Sequence, residues 1–234
     1  MPSSVLELPQ LSITYAEPLP EQQYLLIAGG REPAPPWLKT IAAGRHIWAI
    51  DHGIDSCQKA GLIPEHLIGD GDSASASAWN WAEKNAAVVE RYAPEKDLTD
   101  TQLALSTIKK EQDNPFVLLT GAFGGRFDHA FSTLFSFAFS GLHGGLADER
   151  EACFFLQEKQ TLQIQSKKRP KAISLLPFQE PCTGVSIHGT HWPLQKAALS
   201  QRLPMAVSNE LNKDDSSFTV SLDEGTLGVY LYWE

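Results

Sequence analysis

The sequence predicts an α/β protein in two parts: an N-terminal, mainly parallel α/β/α sandwich domain followed by a small C-terminal antiparallel β-sandwich domain. Up to about residue 158, short apolar runs alternate with helix-like amphipathic stretches, the pattern of a parallel sheet covered on both faces. Beyond that point the helical pattern fades and short strand-like pieces follow. The polar, glycine-rich motifs of the first part fall where its strands end, the edge at which parallel sheets collect ligands. The chain therefore divides into a lead-in over 1–22, an α/β domain over 23–158 and a β-sandwich over 159–234.

The lead-in contains prolines and lacks a basic start followed by an apolar stretch, so it reads as loose chain rather than a targeting signal. Buried strands are expected at 24–28, 46–50, 66–68, 87–92, 116–120 and 152–156, with helices at 37–43, 54–60, 77–84, 100–111 and 127–142 between them. The last helix covers the longest apolar stretch, 130–142, which contains several serines and is too short to span a bilayer; it is expected to be buried. In the second part, strands are expected at 161–165, 173–176, 184–188, 206–208, 218–222 and 227–232. The final pair flanks Asp223-Glu224-Gly225-Thr226, a hairpin signal.

Hydrophobic residues are 42% and charged residues 20% of the 234, an ordinary globular composition. A net charge of −9 argues against a nucleic-acid or anionic-membrane partner, both of which need surplus Lys and Arg. A phosphate ligand would then need local help from a metal or a few placed cations. Cys57, Cys153 and Cys182 are odd in number and share no CxxC spacing, which disfavours a disulfide framework or a zinc site and fits reduced thiols in a cytoplasmic protein.

Four polar segments follow successive strands: Asp51-His52-Gly53, Gly69-Asp70-Gly71-Asp72-Ser73, Lys96-Asp97-Leu98-Thr99-Asp100 and Gly121-Ala122-Phe123-Gly124-Gly125-Arg126. They are expected to face one cleft. On an extended backbone Asp70 and Asp72 share a face roughly 7 Å apart, a span one Mg²⁺ with its waters can bridge. The competing reading is a plain Asp-Gly turn. A calcium loop is disfavoured, because its twelfth position needs Glu and here holds Trp81. A D-x-D clamp also serves nucleotide-sugar transferases, so the pair points to metal and phosphate before it points to a reaction.

Thr99 with Gln102 forms a capping box, and Asp100 in the first turn suits the helix dipole. Capping does not account for Lys96 and Asp97 directly ahead, where a cation can meet a phosphate and a further carboxylate can help hold a metal. Gly124-Gly125-Arg126-Phe127-Asp128-His129 is neither a P-loop nor a dinucleotide fingerprint. Its glycines still let backbone N–H groups approach an anion at a helix N-terminus, and Arg126 adds a forked cation; the plainer alternative is a glycine-rich turn with an exposed Arg126 and a capping Asp128. His129 reads as a hydrogen-bonded structural residue. In the second part, Trp192 is either core or an exposed face for an aromatic, cationic ligand, and Ser208-Asn209 is a weak polar signal.

The ordered set G-D-G-D-S, K-D-L-T-D, G-G-R-F-D-H, H-W-P-L and S-N resembles the thiamine pyrophosphokinase family, over about 25–231. The resemblance implies a catalytic domain binding ATP and Mg²⁺ and a thiamine-binding β-sandwich. It also implies a homodimer with thiamine held between domains of different subunits, and transfer of pyrophosphate from ATP to the thiamine hydroxyl with release of AMP. By the same resemblance Asp70, Asp72 and Asp100 are the metal carboxylates and, with Arg126, the catalytic set. Asp51, Lys96, Asp97, Thr99, Gly124 and Gly125 lie beside ATP and its phosphates, and Asp128, Trp192, Ser208 and Asn209 beside thiamine. The chain departs from the family at His52, where D-G-G is usual, at Gly71, usually large and apolar, and at Thr133, often Asn. His52 and Gly71 motivate a rival acceptor such as a hydroxymethylpterin; a non-catalytic thiamine or nucleotide sensor is the reading from another class.

Overall fold

The computed structural model describes residues 3–93, 95 and 97–234. In chain order the elements are β1 (Val5–Glu7), β2 (Leu11–Tyr15), β3 (Gln23–Ile27), α1 (Pro35–Ala42), β4 (His46–Ile50), α2 (Gly53–Ala60), β5 (His66–Gly69), α3 (Ala76–Asn85), β6 (Val88–Arg91) and α4 (Asp100–Glu111). There follow β7 (Phe116–Thr120), α5 (Phe127–Ala138), β8 (His143–Ala147), β9 (Glu151–Leu156), β10 (Thr161–Ser166), β11 (Ala172–Pro177), β12 (Cys182–His188), β13 (Leu194–Leu199), β14 (Ser217–Ser221) and β15 (Leu227–Tyr232). They form two compact units, one over Pro20–Asp148 and one joining the chain up to Leu19 with Glu149–Glu234.

In the first unit all strand pairings are parallel, in the order β8-β7-β3-β4-β5-β6. The chain steps outward from β3 to β6 and then returns to the other side of β3 as β7. The order thus reverses between β3 and β7, and adjacent loops part there to leave a crevice. The helices fall into two packed groups, α1 with α2 and α3, and α4 with α5. Right-handed crossovers place a group on each face when the strand order reverses. Covered on both sides, β7 is buried at every position and β3 at four of five. Local signals fix the helix ends: Ser75 Oγ accepts from Ala78 N at the start of α3, and the Gly61 N–H, in left-handed conformation, closes α2.

Three expectations for this unit are corrected. The strand near 87–92 is not buried but an edge, with Val88 46% exposed. The helix near 127–142 ends at Ala138 and buries only Phe137 and Ala138; Phe127, Phe131 and Phe139 are exposed, so its apolar content forms a surface stripe. The chain then enters β8, whose His-Gly-Gly-Leu-Ala sequence carries little strand propensity and which is held by its pairing with β7.

The second unit contains a six-stranded antiparallel sheet, β1-β2-β10-β14-β12-β13, and the antiparallel strands β11-β15-β9 of the other sheet. β10 shows the alternation of a strand with one covered face, burying Leu162, Ile164 and Ser166 and exposing Thr161, Gln163 and Gln165. The lead-in is not loose chain: Leu11 and Ile13 on β2 are fully buried, and β2 pairs with β10. Nor do β14 and β15 form a hairpin. They lie in different sheets, so Asp223–Thr226 is a crossing turn anchored by the Thr183–Glu224 bridge. Residues 206–208 are loop, while β13 forms where Leu-Gln-Lys-Ala-Ala-Leu gave no β signal. The expected fold class, a parallel α/β unit with a separate antiparallel one, is the one found. Among the described residues no helix is long and apolar enough to cross a membrane, and all three cysteines are buried and free.

Candidate functional site

At the point where the strand order reverses, the loops after β3, β4, β5 and β7 and the start of α4 surround a cleft of about 590 Å³. Its wall includes Gly29 and Gly30, Asp51 and His52, Ser73, Asp97 to Thr101, Gly121 to Ala122, and Gly124 to Arg126. The expected convergence of four polar loops is therefore met, with a fifth contributed by Ala28-Gly29-Gly30 after β3. Those residues carry no polar side chain, so their role follows only from topology. Lys96 lies outside the described residues.

Carboxylate oxygens of Asp51, Asp70 and Asp100 lie within 4.8 Å of one another. Asp51 sits just past β4 with φ 45°, in the left-handed region that few non-glycine residues adopt. Its N–H donates to the Ile68 carbonyl at 2.8 Å and its carbonyl accepts from Ile54 N at 3.1 Å, so β5 and α2 hold the strained position from both sides. One carboxylate oxygen, Oδ2, accepts from Ser73 Oγ. The other, Oδ1, is buried without a hydrogen-bond partner, a costly state for an anion unless a cation meets it. The donor set suits Mg²⁺: all oxygen, partly buried, with room on the cleft side for water or phosphate.

Asp72 stands outside this trio and is exposed. Its N–H donates to Asp70 Oδ1 at 3.2 Å, closing the D-G-D turn. Its carboxyl is held above the usual carboxylate range, first by hydrogen bonding with Asp70 and then by the charges of Asp70, Asp51 and Asp100. The loop is tied at three points to the segment that leads from β4 into α2: His52 Nδ1 donates to the Ser73 carbonyl at 2.9 Å, Ser73 Oγ bonds Asp51, and Ser75 N donates to Asp55 Oδ2 at 3.1 Å. His52 therefore lines the cleft while fastening its rim.

Gly71 has a packing explanation. Its φ is 77°, and a β-carbon there would lie 3.1 Å from the Trp79 ring. The Trp79 indole is buried, donates to Glu83 Oε1 at 2.9 Å and carries Arg91 4.9 Å above its ring. The space beside position 71 is filled from beneath by the Trp79 ring of α3.

On the opposite wall the Gly121–Arg126 turn leads into α5, whose N-terminus opens on the cleft. The Arg126 guanidinium pairs with Asp128 through Nε to Oδ1 at 3.1 Å and Nη2 to Oδ2 at 2.5 Å. This pair holds the Asp128 carboxyl below its ordinary range and raises Arg126. Both groups are exposed, where such pairs contribute little and exchange readily for a phosphate. His129 is not tucked away as a structural histidine but stands exposed on the cleft wall, one turn of helix from Thr133. Thr99 and Gln102 form the expected capping box, with Asp100 in the first turn of α4.

In the second unit, Trp192, Ser208 and Asn209 line a separate, mainly apolar cleft of about 420 Å³ with Leu175, Leu194 and Met205. Trp192 is 56% exposed, which rules out a core role. Asn209 works as a tie: its Oδ1 accepts from Trp192 N at 3.1 Å, and its Nδ2 donates to the Trp192 carbonyl at 2.7 Å and to Thr190 Oγ1 at 3.2 Å. Ser208 adopts φ 59° and donates its N–H to Ser174 Oγ at 3.0 Å. Together they set the position of the Trp192 ring.

Comparison with known proteins agrees with both halves of this description. Residues 39–141 match the family described as "Thiamin pyrophosphokinase, catalytic domain", and 159–227 match "Thiamin pyrophosphokinase, vitamin B1 binding domain". The thiamine pyrophosphokinase of Bacillus subtilis is 26% identical over 198 residues, covering 83% of this chain and 92% of that protein. Thiamine pyrophosphokinase 1 of Oryza sativa is 23% identical over 168 residues, covering 68% of this chain and 64% of that one. The fold matches the crystal structure of the Bacillus subtilis enzyme with a TM-score of 0.77 at 24% identity, covering 91% of this chain and 100% of that one. It matches the Geobacillus thermodenitrificans structure with a TM-score of 0.74 at 25% identity, covering 91% and 98%. With family matches over both of its parts and structural agreement along nearly its whole length, the chain belongs to the thiamine pyrophosphokinase family.

Proposed function

We propose that this protein is an ATP-dependent diphosphotransferase that moves pyrophosphate from ATP to the hydroxyl of thiamine, giving thiamine pyrophosphate and AMP. The observation that carries this reading is the meeting of Asp51, Asp70 and Asp100 within 4.8 Å at a cleft whose far wall is a glycine-rich turn. Asp51, Asp70 and Asp100 would hold Mg²⁺, with Asp72 available to a second ion or a coordinated water. The bound metal would neutralise phosphate charge and help align the triphosphate.

The chain's own groups do the rest. Backbone N–H groups of Gly124 and Gly125 and the α5 N-terminus receive phosphate oxygens. Arg126 leaves Asp128 for the charge that develops as the reaction proceeds, and Thr99 orders the α4 start beside it, with Asp97 on the same wall. The thiamine oxygen bonds to the β-phosphorus while that phosphorus separates from the oxygen bridging it to the α-phosphate. AMP departs with the electron pair and the alcohol proton is released. Positioning and charge stabilisation carry the rate, with no strong base required.

Trp192 offers its face to the cationic, aromatic thiamine. A homodimer belongs to the same reading: α5 and the residue that follows it expose Phe127, Phe131 and Phe139 in a row with Phe135, and the second unit exposes Trp192, Leu203 and Met205. Apolar surface of this extent suits a two-fold interface in which each copy covers the other. Mass spectrometry of the products from ATP, Mg²⁺ and parallel offers of thiamine and a hydroxymethylpterin tests the assignment. Thiamine pyrophosphate with AMP is expected. Turnover of the pterin alone, or thiamine binding without AMP, overturns it.

A further inference from the structure

Behind the glycine turn stands a buried ion pair that the proposed reaction does not use. Arg31 follows Gly29-Gly30 after β3, and its Nη1 donates to Asp148 Oδ2 at 2.8 Å. Asp148, directly after β8, has a fully buried side chain, and that of Arg31 is 27% exposed. The backbone of the same residue is joined to the turn, since Arg31 N–H donates to the Phe123 carbonyl at 2.6 Å and Gly30 N–H to the Gly121 carbonyl at 2.7 Å. Gly124 backs onto the side chain: a β-carbon there would fall 2.9 Å from Arg31 Cβ and 3.3 Å from its Nε.

A buried ion pair is a poor choice if stability alone is required, because desolvation offsets most of the attraction and an apolar pair would hold the strands as well. It does fix a guanidinium in one orientation. Gly124 and Gly125 are consecutive left-handed residues, φ 72° and 68°, and both are exposed. With no side chains of their own, they need an external support to keep one shape. We propose that Arg31, locked on Asp148, is a positioning residue that holds the 121–125 turn in its phosphate-receiving conformation. This rests on the reading of the cleft as a nucleotide site. Arg31 is not part of the cleft wall and acts through the turn.

The test removes both charges together, Arg31→Met with Asp148→Asn, because Arg31→Met alone would strand a buried carboxylate and threaten folding. Binding of a non-hydrolysable ATP analogue with Mg²⁺ is measured by calorimetry, alongside KM for each substrate and hydrogen exchange over 121–126. The double variant is expected to lose about tenfold in analogue affinity, about 1.4 kcal/mol, with KM for ATP raised to match, KM for thiamine unchanged and faster exchange in the turn. Arg31→Lys, which keeps the ion pair but not the flat fork behind Gly124, is expected to fall between, and it decides the question if the double variant does not fold. Wild-type affinity in the double variant, or in Arg31→Lys in that event, overturns the proposal alone. Equal losses for thiamine and nucleotide do so as well, since they indicate a general structural role. A wild-type protein that does not bind the analogue overturns the nucleotide reading and this proposal with it.

Discussion

Two clefts of this molecule are built on opposite principles. The one in the parallel unit is walled by carboxylates, glycines and helix N-termini, with three hydrogen bonds tying the segment after β4 to the loop after β5. The one in the antiparallel unit is walled by Leu, Ala, Val, Met and a single large ring, and its polar residues serve to fix that ring. The first is suited to charge and to a metal ion, the second to a flat apolar body with a diffuse positive charge. Substitutions in the first should therefore act on turnover, and substitutions in the second on substrate affinity.

The largest effect is expected from the carboxylate trio. Asp100→Asn or Asp51→Asn should lower turnover by about 10²-fold to 10³-fold, the scale seen when an electrostatic contact to developing charge is lost. Asp72→Asn, whose carboxylate stands outside the trio, should cost less, about tenfold. Steady-state kinetics at saturating Mg²⁺ measures all three. If Asp72→Asn proves as damaging as Asp100→Asn, the assignment of Asp51 in place of Asp72 to the inner group is wrong.

Trp192→Ala is the matching test in the other cleft. Loss of the ring should raise KM for thiamine about tenfold, in keeping with about 1–2 kcal/mol for a cation over an aromatic face, and leave kcat nearly unchanged. Thermal stability should also hold, because a ring that is 56% exposed contributes little to the core. A falling kcat with constant KM would mean that the two clefts do not divide the work.

This division also explains what could be read from the chain directly. The parallel unit was legible because buried strands are continuous apolar runs and because Asp70, Asp100 and Arg126 fall at strand ends, where topology brings loops together. The β3 loop escaped notice since Ala28-Gly29-Gly30 has no chemistry until β7 is placed beside it. Arg31 and Asp148 stand 117 positions apart, and neither belongs to a motif. In the antiparallel unit β13 and the crossing turn at 223–226 were misread because sheet membership depends on distant partners, which local alternation does not specify. The exposure of Trp192 was open in the sequence for the same reason.

Gly71 sharpens the comparison from the packing side. In the carboxylate loop Gly71 packs against Trp79 below, so it should shape the Asp70–Asp72 turn and not the apolar cleft. Gly71→Ala should cost about 1–2 kcal/mol from the left-handed backbone, with the close approach to Trp79 adding to it, and should weaken Mg²⁺ binding. Adding Trp79→Leu should relieve the crowding and recover part of the loss. Thermal melts of the two variants measure this, and a changed preference between thiamine and a pterin alcohol in Gly71→Ala would contradict it.

The smallest effect expected is on stability as a function of pH and metal. The Asp72 carboxyl is raised in the folded protein, first by Asp70 and further by Asp51 and Asp100, so the fold binds this proton more tightly than the unfolded chain does. Its contribution favours the fold fully below the ordinary carboxylate pKa and is lost as pH rises through the higher folded value. A divalent cation bound at the proposed site would take the place of the proton there. At ten times its dissociation constant, Mg²⁺ should stabilise the protein by about 1.4 kcal/mol through mass action, or about 2–4 °C for a chain of this size. That gain should shrink as pH falls through the raised range in which the Asp72 carboxyl takes up its proton, and it should be absent at all pH values in Asp51→Asn. A Mg²⁺ response that is independent of pH would place the ion away from these carboxylates, and with it the distinction between the charged cleft and the apolar one would fail.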